Sequence, residues 1–386
     1  MNKLFTKIFE DFFPPEKPLE PGIFQNTILI DQRPQKVQLR IEENGSGLLV
    51  INARTILHLN QTATEFGYAL LNADDENKII ANASKRYKVD KNQFRQDFLD
   101  FKNKLYTIFE SEDIDPELTL GMDRIDPYSI SKPIRVDCAL TYQSSHSHIH
   151  KVVDDRVRRE LLTKEWIEIL EKCHRAGILH VIFTGGEPTL RPDLAELIQF
   201  TQDNNMVSGL ITGGDRLSEP KYLHTLLDAG LDHIMFILGE EGEAWEGIRD
   251  ILAEDIHLTV HLTITETNKQ STKQTIDQLK KMGVKSISIS ASSDNIRAEL
   301  REAANYASTN QMKLVCDLPV PFLGLNPNTV YLEEFEKSGY GHGKAWIYVE
   351  PDGDVLPAQD IKTVMGNLLA QSLDEIMEHY PTNKND

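Results

Sequence analysis

Between Ile134 and Pro319 the sequence alternates short apolar runs of strand length with longer amphipathic runs, and no other feature restricts the fold as strongly. The strand-like runs are "IRVDCALTY", "HVIFTG", "VSGLIT", "HIMFIL", "LTVHLTIT", "KSISIS" and "LVCDLP". Between them, "TKEWIEILEKCHRAG", "RPDLAELIQFTQDNN", "EPKYLHTLLDAG" and "TKQTIDQLKKMG" repeat apolar residues at helical spacing, and several are stopped by Gly or Asn. Repeated strand–helix units imply parallel strands joined by right-handed crossovers. This many units predict an α/β fold with a (β/α) partial barrel over residues 134–319, whose chemistry belongs at the C-terminal ends of the strands. "TYQSSHSHIHK", "TGGEP" and "TGGDR" all fall there.

The flanking segments read differently. "MNKLFTKIFEDFF" carries acidic residues within its apolar stretch and has no continuous apolar h-region, so it predicts an amphipathic helix and not a secretory signal. "PPEKPLEPG" then reads as an extended linker, which makes residues 1–33 a helix plus linker. "KVQLRIEENGSGLLVINARTILHLN" alternates apolar and polar residues on both sides of "ENGSG", the pattern of a hairpin followed by a further strand. Three runs of helical spacing follow, so residues 34–110 predict a small winged-helix-like α+β domain, with a linker over 111–133. The 386 residues carry a net charge of -19, which repels phosphate backbones and anionic membranes, and no apolar run reaches membrane-spanning length. Neither nucleic acid nor membrane is expected as a partner. Three scattered cysteines make no disulfide framework and no CxxC pair, as suits a reducing cytoplasm.

At the strand ends, Gly185 and Gly186 permit close approach of a ligand to the backbone, and Glu187 offers an acceptor for an ammonium. The alternative is a strand-to-helix turn in which Pro188 opens the next helix. Asp215 and Asn268 admit the same two readings, ligand contact or turn cap. His146, His148 and His150 alternate and would share one side of an extended segment, as in a metal-binding HxH loop. Later strand ends lack the further histidines and final aspartate of a barrel metallohydrolase, so a solvated loop is the expectation, with no metal.

"ALTYQ", "FTGGEPTLRPDL", "GLITGGDRL" and "LTVHLTITETNKQ" together resemble successive strand ends of the radical S-adenosylmethionine (SAM) family. The resemblance implies a SAM pocket at Gly185, Gly186, Glu187, Pro188, Thr212, Asp215 and Asn268, with the GGEP motif meeting the amino end of the methionine moiety. It also sets Ser144, His148 and Lys151 at the three positions where the family has the cysteines of CxxxCxxC. A hydroxyl, an imidazole and an ammonium do not replace three thiolates, so the expectation is no iron–sulfur cluster and at most weak SAM binding. The C-terminal "GYGHGKAWIYVEPDGDVLPAQD" and "VMGNLLAQSLDEIMEH" resemble the SPASM-type extension, here residues 320–386, with Tyr340 and Ala358 at auxiliary-cluster cysteine positions. "GSGLLVINARTILHLNQTATEFGYALL" and "ASKRYKVDKNQFRQDFLDFKNKL" resemble the PqqD-like peptide-binding domain, or RiPP recognition element. That resemblance implies a peptide or protein partner taken as an added strand at a sheet edge. Taken together, the expectation is a cluster-less radical SAM-like pseudoenzyme or accessory scaffold in a peptide-modification pathway. The alternatives are a SAM- or metal-dependent enzyme of non-radical chemistry and a regulatory partner of a cluster-bearing paralogue.

Overall fold

The computed structural model of the chain describes residues 19–30, 33–51, 55–72, 77, 79–81, 90–110, 130, 132–144, 157, 159–217, 219–239, 244–316, 318–320, 325, 341–359 and 361–378. The chain divides into two compact units, Met1–Ser131 and Lys132–Asp386. No helix among the described residues is long and apolar enough to cross a membrane.

The first unit holds an antiparallel sheet of β1 (Gly22–Ile30), β2 (Arg33–Ile41), β3 (Gly47–Ile51) and β4 (Thr55–Leu59), in that order. Strand β1 lies where a linker was expected, and it pairs with β2 along its whole length, from Gly22 opposite Ile41 to Ile30 opposite Arg33. Its inward positions are Phe24 and Ile28, packed on the unit's core, with Asn26 between them donating to the Leu71 carbonyl at 2.8 Å. A polar residue on the inward face hides the strand period from a sequence reading. Helix α1 (Gln61–Leu71) is capped by Asn60, whose side chain accepts from the Ala63 amide, and α2 (Lys91–Glu110) follows. Phe66 of α1 meets Phe94 and Phe98 of α2 edge-on, at centroid distances of 5.0 and 5.4 Å, which closes the core over one face of the sheet. The middle helix expected before α2 is described only at residues 77 and 79–81.

The second unit is built on one long sheet. Its strands β5 (Arg135–Thr141), β6 (His180–Gly185), β7 (Val207–Thr212), β8 (His233–Ile237), β9 (His257–Ile264) and β10 (Ser286–Ala291) are parallel neighbours in chain order, joined by helices. These helices are α3 (Thr163–Arg175), α4 (Leu194–Asp203), α5 (Pro220–Asp228), α6 (Ala244–Leu252) and α7 (Thr272–Met282), and α8 (Arg297–Thr309) leads on to the short β11 (Lys313–Leu314). A sheet of mostly parallel strands in this order fits the expected partial barrel. Val136, Cys138 and Leu140 face the helices, while Ile182, Ile211, Met235 and Ile237 pack on the other side with Leu318 and Val320. Burial on both faces explains why these strands read as nearly continuous apolar runs.

The C-terminal segment does not stand apart from the barrel. Strand β12 (Trp346–Val349) adds to the sheet parallel to β5, and β13 (Asp354–Leu356) and β14 (Gly366–Asn367) extend it antiparallel, before α9 (Leu373–Glu378). Gly353 closes the β12–β13 turn with φ of 90°, a conformation that disfavours a side chain.

Candidate functional site

The C-terminal ends of β5 and β6 are tied together by backbone contacts that only glycine allows. Gly185 has φ of 124°, and a Cβ there would lie 2.3 Å from the Thr141 carbonyl. A Cβ on Gly186 would lie 2.2 Å from the Gln143 carbonyl. The approach lets the Gly186 amide donate to Thr141 and the Glu187 amide donate to Gln143, each at 2.7 Å. Both amides are therefore engaged by the β5 exit, so an anionic ligand would have to use other donors.

Glu187 is fully buried and joins β6 to β7. Its Oε1 accepts from the Thr189 amide at 2.9 Å, from the Thr189 hydroxyl and from the Thr212 hydroxyl at 2.7 Å, while Oε2 accepts from the Gly213 amide at 2.8 Å. Burial raises the pKa of this carboxyl, and the four donors pull against that shift. Oε1 is crowded, whereas Oε2 accepts a single bond among these, which leaves it the side able to meet a ligand cation. Pro188 opens a single 3₁₀ turn, Pro188–Leu190, capped by Glu187 itself.

The β5 exit is held from three further directions that sequence reasoning missed. Glu160 Oε1 accepts from the Thr141 hydroxyl at 2.5 Å and from the Tyr142 amide at 3.1 Å. The Tyr142 hydroxyl donates at 2.9 Å to Glu350, which follows β12, and burial beside Tyr348 and Glu350 pushes the Tyr142 pKa far up. Arg191, paired with Asp193, donates to the Leu140 and Leu161 carbonyls. A single GGEP motif thus sits inside a network that fixes where the chain leaves β5.

The remaining candidate residues fall as follows. Thr212 accepts from the Gly214 amide while donating to Glu187, and Asp215 lies in the turn after it. Asn268 closes the turn after β9, accepting from the Thr265 amide at 2.8 Å and donating to the Thr263 carbonyl at 2.9 Å. Ser144 is exposed just past the β5 exit, and Ala358 is buried after β13. His146, His148, His150, Lys151 and Tyr340 lie outside the described residues.

Comparison with known proteins agrees with this geometry. Residues 138–240 match the family model described as the radical SAM superfamily. A PqqA peptide cyclase of Methylobacterium nodulans is 27% identical over 263 residues, covering 59% of this chain and 67% of that protein. Another, of Gluconobacter oxydans, is 46% identical over 90 residues, 23% of this chain and 25% of that one. The chain thus spans between a quarter and two thirds of these relatives' length. Among solved structures, Streptococcus suis SuiB bound to S-adenosylmethionine superposes with a TM-score of 0.58 at 14% identity, covering 88% of this chain and 86% of that one. SuiB bound to its precursor peptide SuiA gives 0.58 at 13% identity, covering 92% and 88%, a likeness of fold. The chain carries a radical SAM domain homologous to that of the PqqA peptide cyclases.

These matches correct two expectations. A pseudoenzyme or scaffold is not supported, because the curated relatives named above are peptide cyclases and so enzymes. The expectation of no iron–sulfur cluster falls with it, since the matched superfamily pairs a cluster with SAM and the match begins at Cys138. The three cysteines of the chain do not by themselves fit a four-iron cluster. Cys138 and Cys173 are buried in the core with their thiols pushed up by desolvation, Cys173 to about 12, the reverse of what a thiolate ligand needs. Cys316 is half-buried beyond β11, on the strand order's far side from β5.

Proposed function

We propose that the chain is a peptide-modifying enzyme that binds S-adenosylmethionine at the strand ends of its radical SAM domain. The observation that carries this reading is the 27% identity over 263 residues to a protein named PqqA peptide cyclase. SuiB, of the same fold, is seen with S-adenosylmethionine in one structure and with a precursor peptide in another. When bound, SAM supplies a reactive sulfonium centre. The protein's own part is to seat it: Glu187 Oε2, which accepts from the Gly213 amide, offers a carboxylate to the amino group, and a buried carboxylate whose pKa is raised gains from such a cation.

The peptide is taken by the N-terminal unit, whose residues 34–110 we read as the PqqD-like domain, while the β12–β13 hairpin is the SPASM-like remnant. Strand addition needs a free edge. Strands β2 and β3 are interior to the four-stranded sheet, so neither serves; the edges are β1 and β4, and β4 is the edge beside α1 in the chain. Titration calorimetry with SAM, and amide shifts on adding short peptides encoded beside the gene, test both halves. Saturable SAM binding with shifts concentrated on Thr55–Leu59 is expected. No heat at millimolar SAM, or shifts absent from β4, would overturn the reading.

A further inference from the structure

The sheet of the N-terminal unit has a long edge without the usual protection. Strand β1 runs nine residues, "GIFQNTILI", with no charged residue and no proline. Edge strands ordinarily carry one or the other, because their outward N–H and C=O groups otherwise template pairing with another strand. The omission is local: 26% of the chain's residues are charged, and β2 alongside holds Arg33, Pro34, Lys36 and Arg40.

Among the described residues β1 pairs on one side, with β2. In an antiparallel ladder the backbone groups of alternate residues point to opposite sides of the strand. The Thr27 amide donates to the neighbouring Asn26 side chain at 2.8 Å, and Leu29 stands opposite Pro34, which has no N–H to exchange. Both facts make the odd-numbered residues the ones whose backbone faces the open side. Ile23, Gln25 and Thr27 are also exposed at their side chains, while Phe24 and Ile28 lie half-buried against the unit's core.

The strand is complementary to its own reverse. Antiparallel pairing of two copies about Asn26 sets Gln25 opposite Thr27, Phe24 opposite Ile28 and Ile23 opposite Leu29. Polar meets polar and apolar meets apolar at each of these positions, and no charge meets its like. Centring on Gln25 or Thr27 instead sets Asn26 opposite Phe24 or Ile28, so the pattern itself selects the register. In that register Gln25 of one copy and Thr27 of the other exchange N–H and C=O groups, and the Thr27 amide passes from Asn26 to the partner strand. The net charge of -19 repels a second copy at long range, which an uncharged joining strand does not add to.

We infer that β1 is a self-pairing edge, through which two copies of this chain join their four-stranded sheets into one antiparallel sheet across a twofold axis at Asn26. A second copy is the occupant because the complementarity lies within the strand's own sequence, as an isologous contact requires. The other edge, β4, stays open for the peptide, and the inference stands apart from the SAM reading. One added strand pair buries little surface, so the dimer is a weak one, with a Kd of about 10 to 100 µM.

Sedimentation equilibrium of the full chain, from about 5 to 500 µM, should show a reversible monomer–dimer equilibrium. Gln25→Lys and Thr27→Glu alter exposed positions and should leave the circular dichroism unchanged. Each should weaken the dimer roughly tenfold by placing charge on the joining edge. The double variant sets each new ammonium opposite the partner's new carboxylate, and should return the affinity to within about threefold of the parent. A chain that stays monomeric throughout overturns the inference. So do single variants that dimerise like the parent, which put the interface elsewhere, and a double variant weaker than both singles, which denies the register about Asn26. Amide shifts on β1 from an added peptide, in a chain that stays monomeric, would give the edge to the peptide instead.

Discussion

Replacing Glu187 by alanine separates a group that only waits for a ligand from one that holds the strand ends together. Truncation leaves two amides, Thr189 and Gly213, and two hydroxyls, Thr189 and Thr212, without their acceptor. The hydroxyls can rotate toward other acceptors, but the amides are fixed by the backbone. One buried and one half-buried amide at about 1 to 3 kcal/mol each, less the relief of removing a desolvated carboxyl, put the loss near 1 to 5 kcal/mol. Glu187→Gln keeps the crowded Oε1 side and sets an NH₂ against the Gly213 amide alone, so its loss should be about 1 to 2 kcal/mol. Urea unfolding of the full chain, followed by tryptophan emission, reads both. A loss below about 1 kcal/mol for Glu187→Ala, or equal losses for the two variants, would refute the view of Glu187 as the tie between β6 and β7.

Other outcomes follow from the same geometry. His261 titrates near 3 in the folded protein against 6.5 ordinarily, so the unfolded chain binds the extra proton and stability falls as pH drops below 6.5. At about pH 5 the deficit from this group is roughly 2 kcal/mol, at about 1.4 kcal/mol per pH unit. His180, lowered by burial and by His233, acts in the same direction, while the raised pKa of Glu187 opposes it, and denaturation midpoints flat between about pH 5 and 6.5 would contradict the balance. Gly209→Ala would drive a methyl to 2.2 Å from the His233 ring and 2.7 Å from Ile182, so a loss of about 1 to 3 kcal/mol is expected in thermal melts. A thiol reagent at about pH 8 should modify Cys316 rapidly and leave Cys138 and Cys173 untouched until denaturant is added.

Much of the barrel is legible in the sequence because each of its strands carries its signal locally. "HVIFTG" and "VSGLIT" are β6 and β7 to the residue, and the "TGGEP" and "TGGDR" turns sit at the strand ends as expected. What stays hidden depends on partners far away in the chain. Glu350 meets Tyr142 across 208 residues, and nothing local in "YVEPDGDV" marks that glutamate as part of the β5 exit. The docking of β12 against β5 is hidden for the same reason, since a hairpin motif says nothing about which edge it joins. His261 reads as a polar interruption in "LTVHLTIT" until the pairing with β10 brings Ser288 and Ser290 to its ring. Asn26 on the inward face obscures strand β1, and the substitutions at Ser144, His148 and Lys151 in one loop carry less information about function than the match over residues 138–240.

The most direct test of the central claim is mass spectrometry of a candidate peptide after incubation with the full-length protein and SAM under reducing, anaerobic conditions. Peptides encoded beside the gene are the substrates to try, with SAM omitted in one arm and a protein carrying Glu187→Gln in another. The account expects a change in peptide mass that requires SAM and is diminished by Glu187→Gln. Peptide and SAM both recovered unchanged, from a protein that binds each of them, would contradict it.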